Sequence, residues 1–326
     1  MTVQLTVVGL GRIGVSVGLA LAEKKDLLTR TGNDANASNE QIALKAGAFD
    51  SVQHDLAKAV EEADIVLITE PMGEFEDTLK LTIPHLKPGA VLLGTAPVQT
   101  ATLKMAQSLL AEERYYVTFM PSLNPAHFRE DAPPSADLFK KSVIVLATLP
   151  GTVPEALQLA SDLCKLLGAQ PFYADPDEAD GLMAATDTLP RLLSAALLLA
   201  TVNAPGWREG QKLAGAAYLA QTELATQPHE AEDLTPTALL NRDNVLRVID
   251  DAVAALQILR TDIAEGDAEL LKAHLASVRE KREDWWEHRQ RLDWDFPKDA
   301  EPLPTSGQAF ARMFGFRPRP AKRDKK

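Results

Sequence analysis

The sequence predicts an α/β fold: a Rossmann-type, doubly wound parallel sheet that is followed by an all-helical C-terminal domain. Three observations support this prediction. An apolar run ends in the glycine pattern Gly9-x-Gly11-x-x-Gly14, strand-like runs alternate with helical patterns to about residue 172, and only helical patterns follow. We therefore expect a dinucleotide-binding domain over 1–172, an all-helical domain over 173–292, and a basic tail over 293–326 with a composition typical of disorder.

The glycine pattern is the element around which the chain is organised. Gly9 allows a tight turn out of the first strand, Gly11 lets the backbone approach a pyrophosphate, and Gly14 lets the next helix pack on the strand. The N-terminus of that helix supplies free N–H groups and positive potential for phosphates. We therefore predict that NAD binds here, with contacts from Gly9, Leu10, Gly11, Arg12, Ile13 and Gly14.

An acid at the end of the second predicted strand favours NAD over NADP. Asp34 follows Gly14 at the distance where a carboxylate accepts hydrogen bonds from the adenosine ribose. The residues directly after it, 35–37, include no arginine that would receive a 2′-phosphate. Arg30, inside the same strand, weakens this preference.

The remaining elements of the first domain follow from the alternation of apolar patterns. Strands are predicted over 3–8, 27–33, 63–69, 90–93, 116–120 and 142–147, and helices over 12–24, 41–46, 55–62, 75–86, 100–111 and 154–167. Parallel strands bring the loops after them to one edge of the sheet, so the loops at 9–14, 34–37, 70–74, 94–99 and 121–128 should face one crevice. Glu70, Pro71 and Thr95 are predicted cofactor contacts there, although Glu70 equally fits a residue that caps its own loop.

Composition limits the classes of function. The chain has 326 residues, 45% of them hydrophobic and 25% charged, which is typical of a globular protein, and its net charge of −12 argues against a nucleic-acid surface. Cys164 is the only cysteine, so an internal disulfide is excluded, and its apolar helical surroundings predict a buried residue. We predict no metal site.

The sequence predicts a cytoplasmic protein without a membrane span. The glycine turn begins at residue 9, so cleavage of this end as a signal peptide would destroy the first strand. The longest apolar stretch, Leu192 to Val202, is too short to cross a bilayer and follows Asp187 and Arg191, so we interpret it as a buried core helix.

The second half of the chain is predicted to be helical over Asp177 to Thr201, about 208–226, 235–264 and 267–291, with Pro205-Gly206, Pro228 and Gly266 between these segments. These helices are apolar over more than one face, so we expect a homodimer that buries the surplus apolar surface. The segment from Arg279 to Arg291 alternates charges around Trp285 and Trp286, which predicts a solvated face with an aromatic anchor.

Several further motifs run through the chain: Gly-Leu-Gly-Arg-Ile-Gly, Gly32-Asn-Asp34 with Ala46-Gly47-Ala48, the strand at 63–68, the strand and loop at 90–99, Asn124-Pro125, Asp180-x-x-Met183-Ala184 with Leu189-Pro190, and Leu240-Asn241-Arg242 before a long helix. Together they resemble the prephenate/arogenate dehydrogenase family over about residues 3–292. In this family the helical domain over 173–292 is the substrate and dimerisation domain. The resemblance implies a nicotinamide domain, a helical dimerisation domain and an active site between them. It also implies oxidative decarboxylation of a cyclohexadienol on the way to tyrosine, which makes a small-molecule carboxylate the expected partner.

The same resemblance points to substituted positions. Asn124, which we predict to be a catalytic residue, stands where the family has a histidine that accepts the hydrogen bond of the substrate hydroxyl. An asparagine orients a hydroxyl but does not take its proton. Pro97-Val98-Gln99 replaces a Ser-x-Lys sequence, and the family's Ser-His-x-Pro-His becomes the segment from Asp187 to Arg191.

Two nearby residues are candidates for the missing chemistry. His127, three residues after Asn124, is a candidate base, with an ordinary surface histidine as the alternative. Arg191 is a candidate anchor for a substrate carboxylate, with an ion pair to Asp187, four residues earlier on the same helix face, as the alternative. Three functions remain open at this point: an NAD-dependent dehydrogenase of the prephenate or arogenate type, a non-catalytic NAD-binding protein on the same frame, and a dehydrogenase of another small hydroxy acid.

Overall fold

A six-stranded sheet forms the first half of the protein in this computed structural model, which describes residues 2–129, 132–227 and 230–292. The predicted tail over 293–326 lies outside the described residues. The strands are all parallel and lie in the order β3-β2-β1-β4-β5-β6. Their bounds are β1 Val3–Val8, β2 Leu28–Asn33, β3 Ser51–Val52, β4 Ile65–Ile68, β5 Val91–Gly94 and β6 Tyr115–Thr118.

Helices cover both faces of this sheet. They are α1 Arg12–Ala20, α2 Ala37–Lys45, α3 Leu56–Val60, α4 Met72–Thr82, α5 Gln99–Leu109 and α6 Pro154–Leu166. Successive side chains of a strand point to opposite faces, and β4 shows the result: Ile65 and Leu67 pack with residues of α1 and α6, whereas Val66 and Ile68 pack with residues of α4 and α5. Cys164 on α6 is fully buried in the first of these clusters, as predicted.

A second, three-stranded sheet adjoins the first domain and differs from the prediction. β7 Met120–Pro121 runs antiparallel to β8 Val143–Leu146, which is parallel to β9 Gln170–Tyr173. The sequence predicted the strand at 142–147 but not that it leaves the main sheet, and it predicted neither β3 nor β9. Both missed strands are short, and β9 contains Pro171, which removes a backbone donor and obscures the strand pattern.

The second half is helical, as predicted. Its helices are α7 Pro176–Met183, α8 Leu189–Val202, α9 Trp207–Gly210, α10 Ala216–Thr222, α11 Glu230–Leu240, α12 Arg242–Glu265 and α13 Ala268–Arg291. A π-helical turn, Ala184–Thr188, joins α7 to α8. α12 and α13 are connected by Gly266, whose φ of 68° lies in the left-handed region that ends a helix.

The interpretation of Leu192–Val202 as a buried core helix is wrong for the single chain. Ser194 is the only fully buried residue of α8, and Leu199 is 73% exposed. The continuous run Pro176–Val202 is long and apolar enough to cross a membrane by length and composition alone, which for one helix is weak evidence. Asp180 and Arg191 within it form polar contacts to other parts of the fold, so the run packs as part of a globular body.

One carboxylate joins the two halves. Asp180 on α7 accepts hydrogen bonds from the backbone N–H groups of Gln99 (2.6 Å) and Thr100 (3.0 Å), which open α5. The N-cap residue of α5 is Val98, whose side chain cannot accept these bonds. Asn241, directly before α12, donates to the backbone carbonyl of Asp180 at 2.7 Å. The N-terminus of α5, in the first half of the chain, is therefore capped by Asp180 from the second half.

Candidate active site

The glycine turn between β1 and α1 has the geometry that its residue types predict. Gly9 has φ of 92°, in the left-handed region, and a Cβ added to Gly14 would lie 2.0 Å from the carbonyl oxygen of Gly9. A Cβ added to Gly11 would meet nothing within 4 Å, so open space lies directly over the backbone there. The turn therefore has a sterically required glycine at either end and leaves room in the middle for a pyrophosphate.

Asp34 lies at the end of β2, beside this turn. One carboxylate oxygen accepts from the backbone N–H of Leu10 at 2.7 Å, and the other accepts from the N–H of Asn36 at 2.7 Å and from Nδ2 of Asn39 at 3.1 Å. The residue is 7% exposed. These bonds fix the carboxylate against the glycine turn, and carboxylate oxygens have lone pairs left for ribose hydroxyls.

Arg30 does not compete with this preference for NAD. Its guanidinium is 1% exposed, pairs with Asp50 at 2.8 Å, and donates to the backbone carbonyls of Gly18 and Ala48. The expectation that Arg30 weakens the preference for NAD is therefore wrong. The cause is a partner on another segment, Asp50, which follows the turn after α2 and which the local pattern around β2 does not show.

The loop after β4 contacts the glycine turn. Oγ1 of Thr69 donates to the carbonyl of Gly9 at 2.6 Å, and the Glu70 carboxyl carbon lies 3.0 Å from the position of a Cβ on Gly9. Burial, and then the negative charges of Asp34 and Glu74, raise the pKa of Glu70 to about 7. Near neutral pH this carboxyl group is therefore present in both charged and neutral forms beside the phosphate-binding turn.

Pro71 and Thr95 complete this edge of the sheet. Pro71 is the exposed N-cap residue of α4, and Thr95 donates its backbone N–H to the carbonyl of Ile68 at 3.1 Å. Thr95 is thereby held beside β4, on the same edge as Glu70. The predicted cofactor contacts thus follow four parallel strands, β1, β2, β4 and β5, and lie at one edge of the sheet.

The loop 121–128 lies beside the start of α1. Nη2 of Arg12, at the start of α1, donates to the backbone carbonyl of His127, which ties the glycine turn to this loop. Nε of Arg12 is buried without a hydrogen-bond partner among the described residues. An unpartnered cationic donor beside an open glycine turn suits an anionic ligand.

Asn124 and His127 lie on this loop in different situations. The Asn124 amide serves the loop itself: Oδ1 accepts from the N–H of Ala126 at 3.1 Å, and Nδ2 donates to the carbonyl of Asp137 at 3.0 Å. His127 ends the 3₁₀ turn Pro125–His127, and no described residue hydrogen-bonds its imidazole ring. Of the two predicted catalytic residues, only the histidine has its polar side-chain atoms uncommitted.

Arg191 lies apart from the glycine turn, in a cluster of carboxylates. It forms a bidentate pair with Glu230, with both N–O distances at 2.7 Å, and a further pair with Asp233 at 2.9 Å, while Asp187 lies at 3.5 Å. Asp233 also accepts from the backbone N–H of Met72, the first residue of α4. The alternative partner Asp187 is thus present, but the closest partners are on α11 and were missed because they are distant in sequence. A substrate carboxylate would have to displace one of these three carboxylates.

Fold and site together define a dehydrogenase of the nicotinamide-dinucleotide class. The parallel sheet, the open glycine turn and the Asp34 carboxylate beside it have the arrangement of a nucleotide site, and the helical half contacts the first domain at the starts of α4 and α5. Family models agree with this class. The prephenate dehydrogenase nucleotide-binding domain matches residues 17–173, and the prephenate dehydrogenase dimerization domain matches residues 175–277. The chain belongs to the prephenate dehydrogenase family, whose members are NAD-dependent oxidoreductases.

Individual relatives share the family. A cyclohexadienyl dehydrogenase of Zymomonas mobilis is 26% identical over 287 residues, which are 86% of this chain and 94% of the relative. The solved arogenate dehydrogenase of Synechocystis is 25% identical with a TM-score of 0.68, covering 86% of this chain and 99% of that one. The fold is also similar to Aquifex aeolicus prephenate dehydrogenase solved with hydroxyphenyl propionate and NAD+, with a TM-score of 0.75 at 20% identity over 87% of this chain and 98% of that one.

Proposed function

We propose that this protein oxidises a cyclohexadienol carboxylate of the prephenate or arogenate type, with loss of carbon dioxide and reduction of NAD. The observation that carries the proposal is the glycine turn with Asp34, which lies in a chain that both family models cover. NAD supplies the hydride acceptor. The protein has to orient the ring, accept the proton of the ring hydroxyl and exclude water while carbon dioxide leaves.

We assign the proton acceptor to His127. Its ring lies on the loop tied to the glycine turn through Arg12, and no described residue occupies its nitrogens. Asn124 is assigned a positioning role: its side chain holds the turn that presents His127, through the bonds to Ala126 and Asp137. A positioned general base contributes roughly 10²–10⁴-fold to a rate.

A cluster of carboxylates at the start of α4 favours arogenate over prephenate. Arg191 is neutralised by Glu230, Asp233 and Asp187, so this cluster carries more negative than positive charge. Asp233 brings the cluster to the start of α4, directly after the loop that carries Glu70. Arogenate and prephenate both carry two carboxylates, but arogenate has an ammonium group, which such surroundings attract, where prephenate has a neutral keto group.

The proposal is tested by following NADH formation with prephenate, arogenate and a panel of small 2-hydroxy acids, each at saturating NAD. We expect turnover of arogenate and a lower kcat/KM with prephenate. Oxidation of only a hydroxy acid would assign the protein to that other class of dehydrogenase. Tight NAD binding by calorimetry without oxidation of any candidate would instead indicate a non-catalytic NAD-binding protein.

We further propose that the protein is a homodimer that works in the cytoplasm. α12 and α13 expose Leu256, Ile263 and Val278, each at least 60%, and α8 adds Leu199. So much exposed apolar surface is typical of an interface, and the matched region is a dimerization domain by its description. Light scattering at micromolar concentration tests the assembly, and a monomer would contradict it. The cytoplasm is where a soluble biosynthetic dehydrogenase meets its NAD.

We place the domain boundary at 172/173, with the helical domain extending to 292. The end of β9 at Tyr173 and the meeting of the two matched regions between 173 and 175 support this position. α13 continues to Arg291, beyond the end of the matched region at 277.

A further inference from the structure

Arg289, in the last turn of α13, is buried against the loop that carries Asn124 and His127. The sequence predicted that this segment forms a solvated face, which is wrong for Arg289, because it is 7% exposed. Its Nη1 donates to the carbonyl of Lys141 at 3.0 Å, and its Nη2 donates to Oγ of Ser122 at 3.0 Å and to the carbonyl of Leu123. No described carboxylate pairs with this guanidinium, and burial lowers its pKa.

These three acceptors belong to two segments, which backbone bonds from Ser122 and Asn124 and the Asn124 side chain also join. Ser122 and Leu123 begin the loop, and Lys141 ends the turn before β8. Lys141 has φ of 54°, a left-handed conformation that is uncommon for a side chain of this kind. A buried cation that is satisfied by fixed carbonyls locks both segments at one distance, because an arginine fork requires its acceptors in defined directions.

Aromatic contacts also join the C-terminal end of α13 to the loop. The Arg289 guanidinium lies 5.3 Å from the ring centroid of Phe128, and that ring lies 6.0 Å from the ring of Trp286. Arg12 holds the loop from the glycine turn through the carbonyl of His127. Asn124 and His127 therefore lie between two arginine anchors, one on the nucleotide side and one on the helical side.

We propose that Arg289 is a positioning residue for the reaction: by fixing Ser122 and Leu123 it sets the place of His127 relative to the nicotinamide crevice. It lies beyond residue 277, where the dimerization-domain match ends, so this anchor belongs to the extension of α13. The proposal rests on the proposed function for its effect on catalysis. Its effect on the loop is independent of which substrate is used.

The test compares Arg289→Met, which keeps the length but removes the donors, with Arg289→Lys, which restores the charge, and with Arg291→Met. Arg291 is an exposed neighbour paired with Glu287, so its variant removes a cation from the same helix turn without touching the loop. In Arg289→Met, we expect amide exchange over 122–128 to accelerate on the order of tenfold, with partial recovery in Arg289→Lys and none of the change in Arg291→Met.

Kinetics separate positioning from binding. We expect Arg289→Met to lower kcat on the order of 10- to 100-fold with a smaller change in KM, and to leave the Kd of NAD unchanged, because the guanidinium does not touch the glycine turn. Ser122→Ala, which removes one of the three acceptors, gives a milder form of the same pattern if Arg289→Met fails to fold.

Unchanged exchange over 122–128 in Arg289→Met, with acceleration confined to α13, would overturn the anchor. Accelerated exchange with unchanged kcat would overturn the positioning role. A wild-type protein that oxidises no substrate would refute the proposed function alone, and the exchange comparison still decides whether Arg289 holds the loop.

Discussion

NAD should bind this protein more weakly as the pH rises, because of Glu70. The carboxyl group of Glu70 lies over Gly9, and its pKa is about 7 because of burial and of the charges of Asp34 and Glu74. NAD brings a negatively charged pyrophosphate to the same turn. The neutral form of Glu70 is therefore the form that tolerates the cofactor, so NAD binding takes up a proton.

The size of the effect follows from the pKa. If only the protonated form binds, the Kd of NAD should rise about tenfold between about pH 6 and about pH 8. Isothermal titration over this range measures the Kd, and titration in buffers of different ionisation enthalpy measures the proton uptake. Glu70→Gln should bind NAD with a nearly pH-independent Kd, whereas Glu74→Gln, at an exposed neighbour, should keep most of the dependence.

Stability gives a second measurement of the same group. An acid whose pKa is raised in the folded state binds more protons than it does in the unfolded chain, so its contribution is complete below about pH 4.5 and is lost as the pH rises through about 7. The pKa difference corresponds to at most about 3 kcal/mol, and partial solvent exposure reduces this to about 1–2 kcal/mol. Glu70→Gln should remove this loss of stability.

A Kd for NAD that stays constant or falls as the pH rises would refute the prediction that NAD binds the neutral form of Glu70.

Three further substitutions test other parts of the site. Asp34→Ala should weaken NAD binding on the order of tenfold, because the hydrogen bonds to the ribose are lost, and should reduce the ratio of the NADP Kd to the NAD Kd. Equal or tighter binding of NADP than of NAD by the wild type would contradict the assignment. Arg191→Ala should lower the free energy of unfolding by about 3 kcal/mol, because three carboxylates lose their cation. Arg247→Ala, which breaks an exposed ion pair, should change the free energy of unfolding by less than about 0.5 kcal/mol. Equal losses for both variants in denaturant titrations would show that the cluster is not stabilising. His127→Asn should reduce kcat about 10²–10⁴-fold without a change in the NAD Kd, and unchanged turnover would place the base elsewhere.

The nucleotide crevice was predictable because its signals are local in sequence. Gly9, Gly11 and Gly14 lie within one turn, and Asp34 follows at a distance set by one strand–helix–strand unit. Each residue type has one steric or hydrogen-bonding reason to be there. The structure shows the steric reason at Gly9 and Gly14 and holds Asp34 against the turn through the N–H of Leu10.

The polar partners across the fold were not predictable in this way. Arg30 and Arg191 both suggested anion sites, yet Asp50 pairs with the first and Glu230 with the second, on segments that only the tertiary fold brings near. Arg289 was misjudged for the same reason. The alternating charges of its helix indicate solvent exposure, but another segment of the fold covers this residue. A pattern within one helix carries no information about which distant carbonyl or carboxylate faces it.

The cap that Asp180 places on α5 has a consequence for how such a protein can be recombined. The first half alone would start α5 at Val98 with its leading N–H groups unsatisfied, at a cost of about 1 kcal/mol. A chimera that joins this nucleotide domain to a foreign helical partner therefore inherits an open helix end unless the graft carries an acid at the position of Asp180.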